Sequence, residues 1–262
     1  MLRVMAVDLH VHTCLSPCAT LDMTPVKIVR KALETKLAMI AVTDHNSAEN
    51  VAAVMRAARD TDLRVLPGME VTTSEEAHIL ALFEEVADAL SLQELVYEQL
   101  QPGENDEDLF GLQVVANEFD EVEGMNQRLL LGATTLSVEQ LVEAIHTQGG
   151  LAIAAHIDRD AFSLVGQLGF IPPDLALDAI EISKRLTLPD ARARFPEYQN
   201  RTFISSSDAH DIGDLAQAPT LIRAAEPAFA ELRMALAGLE GRKVLEDSRA
   251  NHREGRGTAV DG

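Results

Sequence analysis

The chain has 262 residues, 47% hydrophobic and 24% charged, with two cysteines, no tryptophan and a net charge of −20 from 42 acidic and 22 basic residues. That size supplies a large buried core in one α/β domain, and no apolar run approaches the ~20 residues of a membrane span. The acidic field repels a phosphate backbone, which argues against broad nucleic-acid binding, and no charged-then-apolar leader follows Met1, so a cytoplasmic protein with Cys14 and Cys18 reduced is expected.

The first apolar strand runs from Val4 through Asp8 into His10-Val11-His12. In an extended chain residues i and i+2 share a face, so two imidazoles converge on one point. One strand can offer half of a metal site in this way. Thr13 to Thr24 is turn-like, and Pro25 opens a helix with Val26, Val29, Leu33 and Leu37 on one face. Ala38 to Val42 is a wholly apolar strand, as expected of a parallel strand covered on both sides, and it ends in Thr43-Asp44-His45. A helix with a Val51, Val54, Met55 and Ala58 stripe follows. The third strand, Val65 to Val71, carries Glu70, and the fourth begins at His78.

From 84 to 131 the pattern loses regularity and reads as an insertion or lid. Ser91 with Glu94 predicts a capping box for a helix through Leu100. Ser137 and Gln140 predict a second, for a helix burying Leu141, Val142 and Ile145 and stopping at Gly149-Gly150. The strand from Leu151 ends in His156; later strands are Ala179 to Ile182 and Thr202 to Ser205, the latter running into Ser207-Asp208-Ala209-His210. A last strand at Thr220 to Ile222 precedes a helix with Phe229, Leu232 and Leu236 inward, and 246–262 is polar enough to predict a disordered tail. Strands alternating with helices argue for a parallel sheet, open or closed into a barrel. In a barrel the site lies at the carboxyl ends of the strands, where the candidate ligands are expected to gather.

Six of the eight histidines, His10, His12, His45, His78, His156 and His210, accompany the carboxylates Asp44, Glu70 and Asp208, while His146 and His252 read as unrelated. A lone histidine at a strand end is more often a satisfied polar residue than a ligand. Six of them, with Asp208 and His210 repeating the spacing of His10 and His12, exceed what one tetrahedral ion uses. Two or three divalent ions are therefore expected, and mixed nitrogen and oxygen donors suit zinc, manganese or iron.

These motifs together resemble those of the PHP superfamily, named for polymerase and histidinol phosphatase, over about residues 5 to 240. The resemblance implies an α/β fold, a distorted (β/α)7 barrel over 1–245, that holds the metals and hydrolyses phosphate esters. It implies that His10, His12, His45, Glu70, His78, His156, Asp208 and His210 are ligands, with Glu70 bridging two ions. Asp208, His210 and Asp44 would form the catalytic group, Asp44 by orienting an imidazole. Many relatives place an aspartate or histidine shortly after the first pair as a third-metal ligand; here the turn is Ser16-Pro17-Cys18-Ala19. Cys18 or Asp22 could substitute, or both could be ordinary loop residues.

A metal-bound hydroxide would attack phosphorus. Arg159 is the first candidate to clamp the phosphate, because its planar fork binds two oxygens, with Lys184 and Arg185 second. The alternative for each is a surface cation offsetting nearby acids. The leading expectation is a phosphoesterase acting on a small phosphorylated metabolite or nucleotide, with nucleic acid disfavoured beyond short substrates and no membrane partner. Rivals are an exonuclease, a metal-stabilised regulatory module without turnover, and a hydrolase of amides or lactones.

Overall fold

A computed structural model describes residues 1–246. The tail beyond Glu246, expected to be disordered, lies outside the described residues. In chain order the elements are β1 (Arg3–Val11), α1 (Pro25–Glu34), β2 (Met39–Val42), α2 (Val51–Ala57), β3 (Arg64–Thr72), β4 (His78–Leu82), α3 (Val86–Gln99), α4 (Glu107–Phe110), β5 (Val114–Ala116), β6 (Val122–Met125), α5 (Val138–Thr147), β7 (Leu151–Ala154), α6 (Leu164–Leu168), β8 (Ala179–Ile182), α7 (Leu188–Arg194), β9 (Phe203–Ser205), β10 (Thr220–Ala224), α8 (Phe229–Leu236) and β11 (Lys243–Val244). Nine strands form one sheet in the order β11-β10-β1-β2-β3-β4-β7-β8-β9, and β5 and β6 make a separate hairpin.

The sheet curls into a nearly closed, distorted barrel. Past β9 the chain returns to the end of β1: His12 N donates to Ala209 O at 3.1 Å and Ala209 N to His10 O at 3.3 Å, a parallel bridge between Val11 and Ala209. A side chain fastens this seam. Asp8, fully buried, accepts the Ser207 N–H at 2.9 Å and the Ala216 N–H at 3.0 Å. Burial pushes its carboxyl above the usual range against the pull of those amides, so the two donors are what make an internal carboxylate tolerable.

The sheet is not wholly parallel. The connection at 73–77 is a tight turn closed by Thr73 N to Ala77 O at 2.9 Å, too short for the crossover that parallel strands need. β4 therefore runs antiparallel to both β3 and β7. β10 is antiparallel to β1.

Alternation along the strands divides the core in two. Val7 and Leu9, Met39 and Ala41, Leu66, Leu80 and Leu82, Leu151 and Ile153, Ala179, Ile204 and Ile222 fill the inside, closed below by Phe229, Leu232 and Leu236 of α8. The intervening residues Ile40, Val42, Val65, Met69, Val71, Ile79, Ala81, Ile180 and Ile182 face outward onto α1, α2, α3 and α5. At period two the inward faces continue from Leu66 to Glu70, from Leu80 back to His78 and from Ala179 to Glu181. In β1 a register shift between Asp8 and Val11 moves Val11 to the outer core and leaves His10 and His12 on the inner side. A polar layer thus sits directly on an apolar plug.

Several local expectations change. On α1 the buried residues are Ile28, Val29 and Ala32, with Pro25, whereas Val26 and Leu33 are exposed; a ten-residue helix offers both stripes, and packing chose the other. Ser91 caps nothing, because α3 starts at Val86 with Glu85 before it. The capping box at Ser137 forms as expected. The stretch 84–131 folds as α3, α4 and the β5–β6 hairpin; α3 meets the barrel where Gln93 Oε1 accepts Ala48 N at 2.7 Å, and the hairpin is bound through Asn50, whose Nδ2 donates to Val114 O at 3.0 Å and whose Oδ1 accepts Ala116 N at 2.9 Å. Gly111, at φ +103, lies so close to the loop after β1 that a Cβ would stand 2.5 Å from Pro17 O.

At the edge of the sheet, Glu231 of α8 receives both the Nη2 (2.8 Å) and Nε (3.0 Å) of Arg242 and the Ala225 N–H. The Arg242 guanidinium first, then the Ala225 amide, bring its carboxyl down to about 2. Two outcomes follow. Asp8→Asn, which trades an acceptor for a donor against two fixed amides, lowers unfolding stability by about 1–3 kcal/mol, read from the urea midpoint. For Glu231 the folded pKa is depressed, so its contribution is full above the unfolded value near 4.3 and fades as pH falls toward about 2. The stability gap between wild type and Glu231→Gln should be widest at neutral pH and should narrow below about pH 4.5.

Candidate metal centre

The inner rim gathers all six singled-out histidines, five of them around one carboxylate. Glu70 has its oxygens 2.8 Å from His78 Nδ1, 3.1 Å from His156 Nε2, 3.1 Å from His45 Nδ1, 3.3 Å from His10 Nε2 and 3.4 Å from His12 Nε2. Asp208 Oδ1 lies 3.2 Å from Nε2 of both His10 and His12. The His210 ring stacks on His12 with centroids 4.0 Å apart. The donors form three overlapping groups, His10-His12-Asp208, His45-Glu70-His78 and His12-His45-His210, each with its atoms within 4.8 Å of one another.

The placement is mostly at carboxyl ends, with one exception. His78 opens β4, and it reaches the rim because that strand runs in reverse. His156 and Asp208 follow β7 and β9 with φ of +29° and +48°, left-handed conformations that are uncommon away from glycine. Such strain concentrates at functional sites.

Two side chains that the sequence did not single out set the imidazoles. His10 Nδ1 donates to Glu181 at 3.1 and 3.2 Å, which leaves its Nε2 lone pair facing the rim. Glu181 also accepts the His156 N–H at 3.2 Å. His12 Nδ1 lies 2.9 Å from Ser16 Oγ, and Ser16 Oγ donates to Asp44 Oδ1 at 2.6 Å. A hydroxyl has one proton, so His12 must donate to it, and its Nε2 lone pair also faces the rim. Asp44 does not reach the donor atoms. It accepts from the Thr13 N–H and hydroxyl, each at 2.7 Å, and acts on His12 through Ser16.

This arrangement fits divalent cations. The Nε2 atoms of His10 and His12 are 3.1 Å apart, each with its lone pair turned toward carboxylate oxygens. Nδ1 of His45 is buried without a hydrogen bond. Without a cation the cluster must divide its charge. Burial lowers His10 and His12, but the carboxylates of Glu181, Glu70 and Asp208 outweigh it, holding His10 well above the usual range and His12 at about 9. Burial together with neighbouring imidazoles pushes His45 well below and His210 to about 4. Glu70 and Asp208 stay well below the carboxylate range despite burial, because of the histidines around them. Divalent cations, if bound, would replace those protons and turn repulsion between lone pairs into coordination.

The other expected residues divide. Arg159 pairs with Asp208 and so borders the donors with its guanidinium half in solvent. Lys184 is held by Asp214 at 2.9 Å, and for Arg185 the described contact is a backbone one, its N–H to Ser183 Oγ at 3.3 Å. Asp22 is exposed and paired with Lys27. Cys18 belongs to none of the three donor groups, although partial desolvation and then the Glu70 and Asp208 carboxylates push its thiol up to about 12. Both cysteines are free, as expected. His146 binds Asp178 at 2.9 Å, away from the rim.

The sequence model described as the PHP domain matches residues 8–164. The chain belongs to the PHP family. It is 24% identical over 194 residues to the 5'-3' exoribonuclease Rnm of Escherichia coli, an alignment covering 58% of this chain and 65% of that protein. Its fold is similar to the lesion-specific endonuclease Q of Pyrococcus furiosus, with TM-score 0.74 and 18% identity over 92% of this chain and 58% of that one. A candidate metal-dependent phosphoesterase from Bifidobacterium adolescentis is similar at TM-score 0.57 and 18% identity, over 88% of this chain and 95% of that one. The chain thus spans less than two-thirds of the two nucleases. Among the described residues no helix is long and apolar enough to cross a membrane.

Because Glu181 fixes the tautomer of His10, Glu181→Gln should weaken metal affinity about 10- to 100-fold without unfolding the chain, whereas Asp22→Asn should leave it unchanged. Competition with a chromophoric chelator measures both; equal affinities for Glu181→Gln and wild type would remove Glu181 from this role.

Proposed function

We propose that the protein is a metal-dependent phosphoesterase whose rim binds two or three divalent ions, zinc, manganese or iron. The observation that carries the reading is Glu70, within 2.8–3.4 Å of five imidazoles from four strand ends. His10, His12 and Asp208 would hold one ion and His45, Glu70 and His78 a second, with His156 completing the Glu70 side. His12, His45 and His210 offer a third position. When bound, such ions lower the pKa of water toward neutrality and neutralise charge that develops on phosphoryl oxygens.

The remaining work falls to the chain itself. Asp8 and the bridge to Ala209 set the position of Asp208, while Glu181, Ser16 and Asp44 fix the nitrogens that must stay unprotonated. Arg159 stands at the mouth with one edge on Asp208 and the other toward solvent, where its fork can take two phosphoryl oxygens. His210 is the most exposed of the six rings, at 28%; its Nδ1–H is held by the Asp208 carbonyl at 3.0 Å, so it lines the path by which a phosphate would enter. Lys184 and Arg185 remain second candidates for the same anion.

The substrate in this reading is a phosphoester of a small phosphorylated metabolite or nucleotide. A nuclease reading is favoured by a different observation, the similarity to an exoribonuclease and an endonuclease. Net acidity does not decide against it, because bound cations invert the local field.

Asp208→Asn is expected to reduce turnover of aryl or nucleotide phosphates by at least about a hundredfold, since it removes a ligand charge and the partner of Arg159. Arg159→Ala should raise KM about tenfold or more while metal content stays the same. Steady-state kinetics beside metal analysis separate the two effects. Wild-type activity no greater than that of Asp208→Asn across monoesters, diesters and short oligonucleotides would overturn the hydrolytic reading in favour of a binding module.

A further inference from the structure

The connection after β7 carries a feature that metal binding does not use. Phe162 leaves 45% of its surface in solvent, yet its ring lies on the imidazole of His78, centroids 4.9 Å apart and planes 21° from parallel. Its φ is +57°, a left-handed conformation seldom adopted by a bulky residue. Three hydrogen bonds hold it there: Phe162 O accepts the His78 N–H at 3.0 Å, Arg159 N donates to His156 O at 2.9 Å, and Ser163 Oγ donates to Arg159 O at 2.6 Å. The short segment from His156 to Ser163 is therefore a rigid arm. It sets the Arg159 guanidinium on Asp208 and the Phe162 ring on His78, each on a member of the donor cluster.

A ring serving only as core would be buried, and a spacer over His78 would not need a flat π-surface turned to water. We propose that Phe162 is a stacking platform for a nucleobase, and that the phosphoester hydrolysed at the adjacent rim belongs to a nucleotidyl group. The inference rests on the phosphoesterase reading for the position of the phosphate and adds the class of its leaving or retained group. Arg159 takes the phosphate while the base lies on the outer face of Phe162, continuing the stack begun by His78. Offset stacking on an aromatic side chain is sequence-tolerant, because every base has a π-face. The same chemistry comes from a free mononucleotide or from the end of a single strand.

The test is calorimetric binding to manganese-loaded protein of two non-hydrolysable phosphonates, the analogues of adenosine 5'-phosphate and of ribose 5-phosphate. The adenosine analogue should bind about tenfold more tightly. Phe162→Leu should collapse that ratio to about one, and Phe162→Tyr should restore it. Equal binding of the two analogues by wild type overturns the platform, as does a Phe162→Leu variant that weakens both equally, which is the result for a mere cover over His78. Turnover of adenosine 5'-phosphate, ribose 5-phosphate and a pentathymidylate then distinguishes the carriers: preference for either base-bearing substrate over the sugar phosphate supports the platform. Retained base-dependent binding with no turnover of any substrate would overturn the hydrolytic reading and leave the platform standing.

Discussion

The structure turns on one buried carboxylate. Glu70, 1% exposed, is surrounded by imidazole nitrogens, two of which, on His10 and His12, are held by Glu181 and Ser16 in the tautomer that presents a lone pair inward. So many acceptors facing one another in a volume closed to water is unfavourable by itself. Protonating some of the rings relieves it in part, as the raised His10 and His12 and the lowered His45 and His210 indicate. Divalent cations would relieve it further, because each would give several lone pairs a positive partner.

The barrel exists in a form that delivers those groups. Its interior is apolar up to Leu9, Leu66, Leu80, Ile153 and Ala179, and further along the same faces come Glu70, His78 and Glu181. The plug below keeps water from approaching the donors from underneath, so the mouth beside Arg159 and His210 is the open side. Reversal of β4 and left-handed turns at His156 and Asp208 bring in donor groups that a regular parallel strand would have aimed elsewhere. The seam at Asp8 and Ala209 joins the first strand to the segment carrying Asp208, so the contacts that close the sheet also position the site.

Much of this was legible in the sequence where the chemistry is spelled by spacing. His10 and His12, and Asp208 and His210, stand two apart after apolar runs, and the strands before them were visible as such, whereas β5, β6 and β11 were not. The residues that went unread have no local signal. Glu181 is a single carboxylate inside Ala179-Ile180-Glu181-Ile182, and only the barrel puts it against His10; its hint was that a charged residue on a buried strand needs a partner. Asp8 was hidden in the same way, its partners being amides some two hundred positions away. Helix faces and starts failed where sequence offers two near-equal choices, as with Val26 against Ile28 on α1 and Ser91 within α3. Asp22 stood between a third-metal substitute and an ordinary loop residue on sequence alone; in space it is exposed and paired with Lys27.

The central claim is that Glu70 makes these imidazoles a shared metal centre. It is tested most directly by elemental analysis of protein purified without chelator, wild type beside Glu70→Gln. More than one divalent ion per chain in the wild type, with the larger part lost in a still-folded Glu70→Gln, is the result expected. Metal-free wild type that takes up no ion on titration, or equal metal content in the two proteins, would contradict the account.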